Sequence, residues 1–201
     1  MSLRDRKRAR TRQALVDAAT ELFERQGYDR TTVADIAAAA EIGTRTFFSY
    51  FASKEELLFP EADTRVQAVI AAIDSRTPEE GPAEVLLRAL STVPDTGDDM
   101  VGPLAALRLE LTRTVPAVRG RALQIQLDAQ QEIARRLAEA FADRLDLVQA
   151  AALTGAFIGA ITGVLQVLLE GPDRIATPAA LHAAVRTATD TALAPWLRPG
   201  A

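Results

Sequence analysis

The amino-acid sequence predicts an all-α protein of about nine helices: an N-terminal three-helix unit with a helix-turn-helix, and a C-terminal helical domain. Three observations predict it. Apolar residues recur three and four positions apart along most of the chain, the spacing that lines up one face of a helix. Capping residues precede these runs, and glycine or proline follows them. No run of β-branched residues alternates with polar ones between turn signals, so strand patterns are missing.

The elements follow in order. Leu15, Ala18, Ala19, Leu22 and Phe23 place one apolar face on a helix from Gln13 to Gln26. Gly27 stops it, because glycine past the last turn adopts the left-handed conformation that closes a helix, and Tyr28 can fold back on its end. Thr32 and Asp35 form a capping box for a short helix from Val33 to Ala40. After a break at Glu41-Ile42-Gly43, a third helix is expected from Thr44 to Phe51, with Ile42 and Phe47 as its hydrophobic staple. Ser53-Lys54-Glu55-Glu56 is a further capping box, predicting a fourth helix that Pro60 bends before it continues from Arg65 to Ile73. Loops at Pro78–Pro82 and Pro94–Asp99 then separate helices near Ala83–Val93, Pro103–Thr114, Pro116–Phe141, Leu145–Glu170 and Pro178–Trp196.

Composition limits the chemistry. The 201 residues, 48% hydrophobic and 25% charged, describe a globular protein of one or two domains. The absence of cysteine excludes thiolate nucleophiles, redox-sensing thiols and cysteine-ligated metal centres, and a single histidine, His182, leaves little acid–base or metal chemistry. Hydrolase elbows, phosphate-binding glycine loops and metal-ligand helices are absent, so neither an enzyme nor a bound cofactor is expected. No apolar run follows the basic start, so a secretory signal is not expected and the cytoplasm is the default address. The net charge of −4 conceals an asymmetry: residues 1–54 carry ten bases and seven acids, and the rest of the chain is strongly acidic. Six of those bases lie within the first twelve residues, an arm that either meets phosphate or stays solvated.

Two short helices joined by a three-residue break have the dimensions of a helix-turn-helix, whose second helix enters the DNA major groove. Thr44, Arg45, Thr46 and Ser49 fall on its exposed side, while Phe47 and Phe51 can pack against Leu22, Phe23 and Ile36. Arg45 could fork to guanine O6 and N7; hydroxyls, Lys54 and helix-end amides suit phosphate. The spacing serves equally well a three-helix packing unit with ordinary surface charges.

The resemblance is more specific. Ala18-Ala19-x-x-Leu22-Phe23-x-x-x-Gly27-Tyr28, Thr31-Thr32-Val33-x-x-Ile36-Ala37 and Thr46-Phe47-Phe48-x-Tyr50-Phe51-x-x-Lys54-Glu55-x-Leu57 resemble the N-terminal domain of the TetR family of bacterial transcriptional regulators. That resemblance implies a homodimer with a DNA-binding domain over residues 1–53 and an effector-binding, dimerising domain over 54–201. It implies that Thr32 caps the second helix against a phosphate, that Thr44, Arg45, Thr46 and Phe48 face the groove, and that Tyr50 and Lys54 hold the backbone. The chain departs from the family at Glu41, where glycine is usual in the turn, and at Gly43, where a serine cap is frequent. A non-glycine residue at positive φ is mildly strained.

Downstream, Leu147, Ala151, Thr154, Ile158, Ile161, Leu165 and Leu168 alternate steps of four and three, with Gly155, Gly159 and Gly163 beside them. Leu181, Val185, Ala188 and Ala192 form a second stripe. The resemblance assigns both to a four-helix dimer interface, with Ile158, Gly159, Ile161, Gly163, Leu165, Val185 and Ala188 expected in it; intrachain core is the alternative. Ala150–Leu169 carries no charge and is long enough for a transmembrane helix, but Thr154, Thr162 and Gln166 interrupt it and acids flank it, so no membrane partner is expected. The resemblance places the pocket among the middle helices. Arg108, on a face with Leu104, Leu111 and Val115, is a candidate for an anionic group of an unknown small-molecule effector; Gln124, Gln126 and Phe157 are weaker candidates. An arginine whose stem covers apolar surface is the plain alternative. The expected activity is DNA-binding transcriptional regulation, as a repressor released from a palindromic operator by that effector. The competing class is a helical interaction module without sequence-specific DNA binding.

Overall fold

The computed structural model describes residues 2–92, 102–170 and 178–197. Nine α-helices occur among them, and no strand does: α1 Leu3–Gln26, α2 Val33–Ala39, α3 Thr44–Phe47, α4 Ala62–Asp74, α5 Pro82–Thr92, α6 Pro103–Thr114, α7 Pro116–Ala140, α8 Leu147–Glu170 and α9 Pro178–Leu193. Short 3₁₀ turns at Glu55–Leu58 and Ala194–Trp196 complete the set. The loop expected at Pro94–Asp99 lies outside the described residues.

Four local departures from the sequence expectations have identifiable causes. Helix α1 begins at Leu3, well before Gln13, because Ser2 and Asp5 form a reciprocal capping box: the Asp5 amide donates to Ser2 Oγ, and the Ser2 amide to Asp5 Oδ2. The basic arm is therefore helical. Helix α3 has a single α-helical turn and does not reach Phe51. Beyond Phe47 the winding tightens, with Ser49 and Tyr50 amides bonding three residues back and the Ser49 hydroxyl donating to Thr46 O at 2.6 Å. The box expected at Ser53 does not open a helix. Glu56 instead accepts from the Ala52 amide at 2.7 Å, and one 3₁₀ turn follows. Pro60 ends that segment outright, since the residue before proline is pushed out of the helical region, and α4 starts afresh at Ala62. Helix α8 begins two residues later than expected because Asp146 and Gln149 cap it reciprocally.

Packing divides the chain into two units, Met1–Pro60 with Gly102–Ala122, and Glu61–Val101 with Leu123–Ala201. In the first, Leu15, Leu22, Phe23, Ile36, Phe47, Phe51, Leu57 and Leu58 form a continuous core. Helix α6 and the start of α7 belong to it: Leu111 and Val118 are buried there, with Leu104, Leu107 and Val115 packed alongside. The second core gathers Ile73, Val85, Leu86, Leu137, Leu153, Phe157 and Leu193.

Helix α8 is long and apolar enough to cross a membrane by length and composition, over Leu147–Leu168 with mean hydropathy 1.8. Its open face is rotated by about one residue from the stripe expected. Val148 and Val167 are 77% and 71% exposed, with exposed Ala152 and Gly159 between them, whereas Thr154 is fully buried. Ile158, Ile161, Gly163 and Leu165 are half-buried along the edge of that face. The three glycines also differ. A Cβ at Gly155 would lie 3.0 Å from Gln130 Nε2 on α7, while one at Gly159 or Gly163 would meet no atom within 4 Å. On α9, Ala188 is half-buried, but Val185 is only 6% exposed and so already covered within its own protomer.

Candidate nucleic-acid interface

The first unit presents α2, a tight turn and α3 as one braced feature. Helix α2 opens on the expected box: the Asp35 amide donates to Thr32 Oγ1 at 3.2 Å, and the Thr32 amide and hydroxyl donate to Asp35 Oδ2 at 2.9 and 2.7 Å. Those bonds hold the Asp35 carboxyl below the usual carboxylate range. Thr32 itself is exposed at the helix entrance, where free amides favour an anion.

The far end of α2 closes by a Schellman motif with a glutamate at the left-handed position. Glu41 has φ 56°, its amide donates to Ala38 O, and the Ile42 amide reaches back to Ala37 O at 2.9 Å. These paired bonds use the last carbonyls of α2 and turn the chain into Gly43 and α3. The strain anticipated at Glu41 is therefore present, and the hydrogen bonds hold it in place. We expect Glu41→Gly to raise the midpoint of urea unfolding without changing its slope. Relief of the left-handed penalty, about 1–2 kcal/mol, exceeds the added unfolded-state entropy and leaves a gain of about 0.5–1 kcal/mol.

Phe47 is completely buried and Phe51 nearly so, and their rings lie 6.1 Å apart; together they anchor α3 from behind. Thr44, Arg45 and Thr46 stand exposed, and their side chains have no partner among the described residues. Phe48 is 55% exposed and meets Phe47 edge-on. Ser49 is exposed, but its hydroxyl proton goes to Thr46 O. Tyr50 is half-buried beneath the Arg8 guanidinium, 5.4 Å from its ring centroid.

Two cations of the basic head make bonds within the first unit. Arg12 donates from Nη1 to Tyr50 O at 3.3 Å and from Nη2 to Pro60 O at 2.7 Å, and lies 4.3 Å over the Phe51 ring. It ties α1 to both ends of the segment that follows α3. Lys54 Nζ donates to Tyr28 O at 2.9 Å and Thr31 O at 3.1 Å and sits over the Tyr28 ring. Two of its three donors are thus engaged by the loop before α2. Beside it the Tyr28 hydroxyl donates to Glu55. Burial pushes the Glu55 carboxyl up, but hydrogen bonds from Ser53, Tyr28 and its own amide, with the Lys54 charge, hold it net below the usual range. Burial and the same carboxylate push the Tyr28 hydroxyl well above its ordinary value.

The effector candidates are distributed between units. Arg108 belongs to the first, where Nη1 donates to Leu58 O at 3.3 Å. Gln124 and Phe157 belong to the second; Gln124 is exposed and Phe157 is buried in the core. An open groove of about 340 Å³ in that unit is lined by Gln67, Ile70, Glu132, Arg135, Arg136 and Glu139, and contains none of the three. Its cations are engaged in ion pairs, Arg136 with Asp74 and Glu139, and Arg135 with Glu132.

Comparison with known proteins agrees with this geometry. Residues 15–59, which span α2, the turn and α3, match the family described as bacterial regulatory proteins, tetR family. The HTH-type transcriptional regulator TcmR of Streptomyces glaucescens is 34% identical over 208 aligned residues, covering 99% of this chain and 92% of that protein. The chain belongs to the TetR family. It is a DNA-binding transcriptional regulator and, like its named relatives, not an enzyme. The likeness in fold is not confined to the residues of the helix-turn-helix. Thermus thermophilus FadR, a TetR-family repressor in complex with lauroyl-CoA, superposes with a TM-score of 0.55 at 20% identity, covering 94% of this chain and 97% of that one. The SmeT–triclosan complex superposes at 0.60 with 19% identity, covering 95% and 96%. Arg12 was hidden among arm bases in the sequence, although it stands less than one helical turn before Leu15, the first residue of the apolar face.

Proposed function

We propose that this regulator is a repressor that occupies a palindromic operator as a homodimer and is released by a small-molecule effector. The observation that carries the operator reading is Arg45: exposed, without a partner among the described residues, and mounted on a turn anchored by Phe47 and Phe51. Thr44, Thr46 and Phe48 accompany it in the groove, Ser49 adds an acceptor, and Thr32, Tyr50 and Lys54 hold phosphates on either side. Functionally, residues 1–53 read DNA and residues 54–201 bind effector and pair. Two copies must present α3 about 34–36 Å apart to meet successive major grooves, which makes the operator approximately palindromic.

Pairing is assigned to the open face of α8 with α9: Ile158, Gly159, Ile161, Gly163, Leu165 and Ala188, with Val185 supporting from within the protomer. Pairing through this face would cover its uncovered valines and close on its open glycines, and a cytoplasmic address goes with that use of the apolar helix. FadR in complex with lauroyl-CoA and SmeT in complex with triclosan support an effector here, with Arg108, Gln124 and Phe157 as its candidate contacts. Release requires the effector to bind the non-operator state more tightly, and a coupling of about 1–3 kcal/mol lowers operator affinity about 5- to 150-fold.

The test is Arg45→Ala against an operator selected from random duplexes and a set carrying single base-pair changes. Loss of about 1–3 kcal/mol of discrimination at one position per half-site, with the others unchanged, is expected. Unaltered discrimination throughout would remove Arg45 from the reading.

A further inference from the structure

Helix α1 begins with a run of cations that lies outside the helix-turn-helix. Arg4, Arg6, Lys7, Arg8 and Arg10 are all exposed, and apart from Arg8 over Tyr50 their side chains have no partner among the described residues. The single acid among them, Asp5, is engaged in capping the helix with Ser2. A soluble helix usually sets acids one turn from bases to offset such repulsion, and here that has not happened.

Helical geometry sorts these cations. Arg4, Arg8 and Arg12 lie four residues apart and share one row, while Arg6 and Arg10 lie about half a turn round the helix. The direction of the first row is set by its inner members: Arg12 reaches the Tyr50 carbonyl, and Arg8 lies over the Tyr50 ring. Arg4 continues that line about 6 Å farther along the helix axis. The row therefore passes Tyr50, just beyond α3, and extends one further turn along α1.

We propose that Arg4 and Arg8 form a second DNA contact, a phosphate-binding row that engages the duplex backbone flanking each half-site. The inference rests on the operator reading above. A guanidinium fork suits a phosphodiester, and Tyr50, already assigned to the backbone, joins the row to α3. The site carries affinity but no sequence information, because every flank presents the same phosphates.

The experiment uses the full chain and duplexes built on its own selected operator, one trimmed to the two half-sites and one extended on both sides. Wild type is expected to bind the extended duplex more tightly than the trimmed one. The pair Arg4→Gln/Arg8→Gln, which keeps helix propensity, is expected to lose that gain and to lower the salt-dependence slope by about one per arginine on the extended duplex alone. Arg6→Gln/Arg10→Gln, on the other face, is expected to retain both. Circular dichroism confirms that each variant keeps its helix. If wild type selects no operator, the operator reading itself fails. If it does, and Arg4→Gln/Arg8→Gln keeps the flank gain and the slope, or the two pairs lose them equally, the phosphate row is overturned while the reading stands.

Discussion

Gly159→Leu is expected to separate the proposed dimer into folded monomers. The protomer tolerates the change, because a Cβ at this position meets no atom within 4 Å and leucine is the better helix former by nearly 1 kcal/mol. The cost falls on pairing. Where two α8 helices approach through a glycine face, a leucine side chain holds their backbones apart and empties the contact on either side of it. Sedimentation velocity is expected to give a species near 21.6 kDa, the mass of one chain, with circular dichroism unchanged. Operator affinity is expected to fall about 10²- to 10⁴-fold, since two half-sites would no longer be held by one particle. Gly155→Leu should behave differently: its Cβ already lies 3.0 Å from Gln130, so that substitution strains the protomer itself. An intact Gly159→Leu dimer would move the seam elsewhere.

Arg12→Ala is expected to destabilise the protein by about 2–3 kcal/mol, lowering the melting temperature of the full chain by roughly 4–12 °C. Two carbonyls, those of Tyr50 and Pro60, lose a charged donor, and the Phe51 ring loses its cover. Arg12→Lys should recover only part of this, because an ammonium on a flexible stem cannot serve two carbonyls and a ring from one plane. Salt dependence of DNA binding separates the structural role from a phosphate role. With binding measured below the melting transition, the slope is expected to stay at the wild-type value for Arg12→Ala, whereas removal of a phosphate contact lowers it. A normal melting temperature together with a reduced slope would return Arg12 to the DNA-contacting arm.

Arg12 and Lys54 mark the limit of reading along the chain. Arg12 looks the same as Arg8 or Arg10 in sequence, and its partners are 38 and 48 residues away. Lys54 reads in sequence only as a surface cation, whereas in the fold it also bonds the carbonyls of Tyr28 and Thr31. Val185 fits a partner-facing stripe, yet α9 turns it inward. The Ser53 box satisfies the rule for a helix start, but the competing bond from the Ala52 amide to Glu56 and the break at Pro60 leave a single 3₁₀ turn.

By itself the sequence determined the helical class, the Thr32–Asp35 cap, the end of α1 at Gly27, the place of the helix-turn-helix turn and the burial of Phe47 and Phe51. Each of those depends on apolar period or on hydrogen bonds closed within five residues, so its information is local. Only the tertiary structure decided which cations stay free to meet DNA, that α6 packs on the first core, and which side of α8 is open. A charge or an apolar stripe takes its role from what reaches it across the fold, and a hydrogen bond from a residue tens of positions distant leaves no trace in spacing.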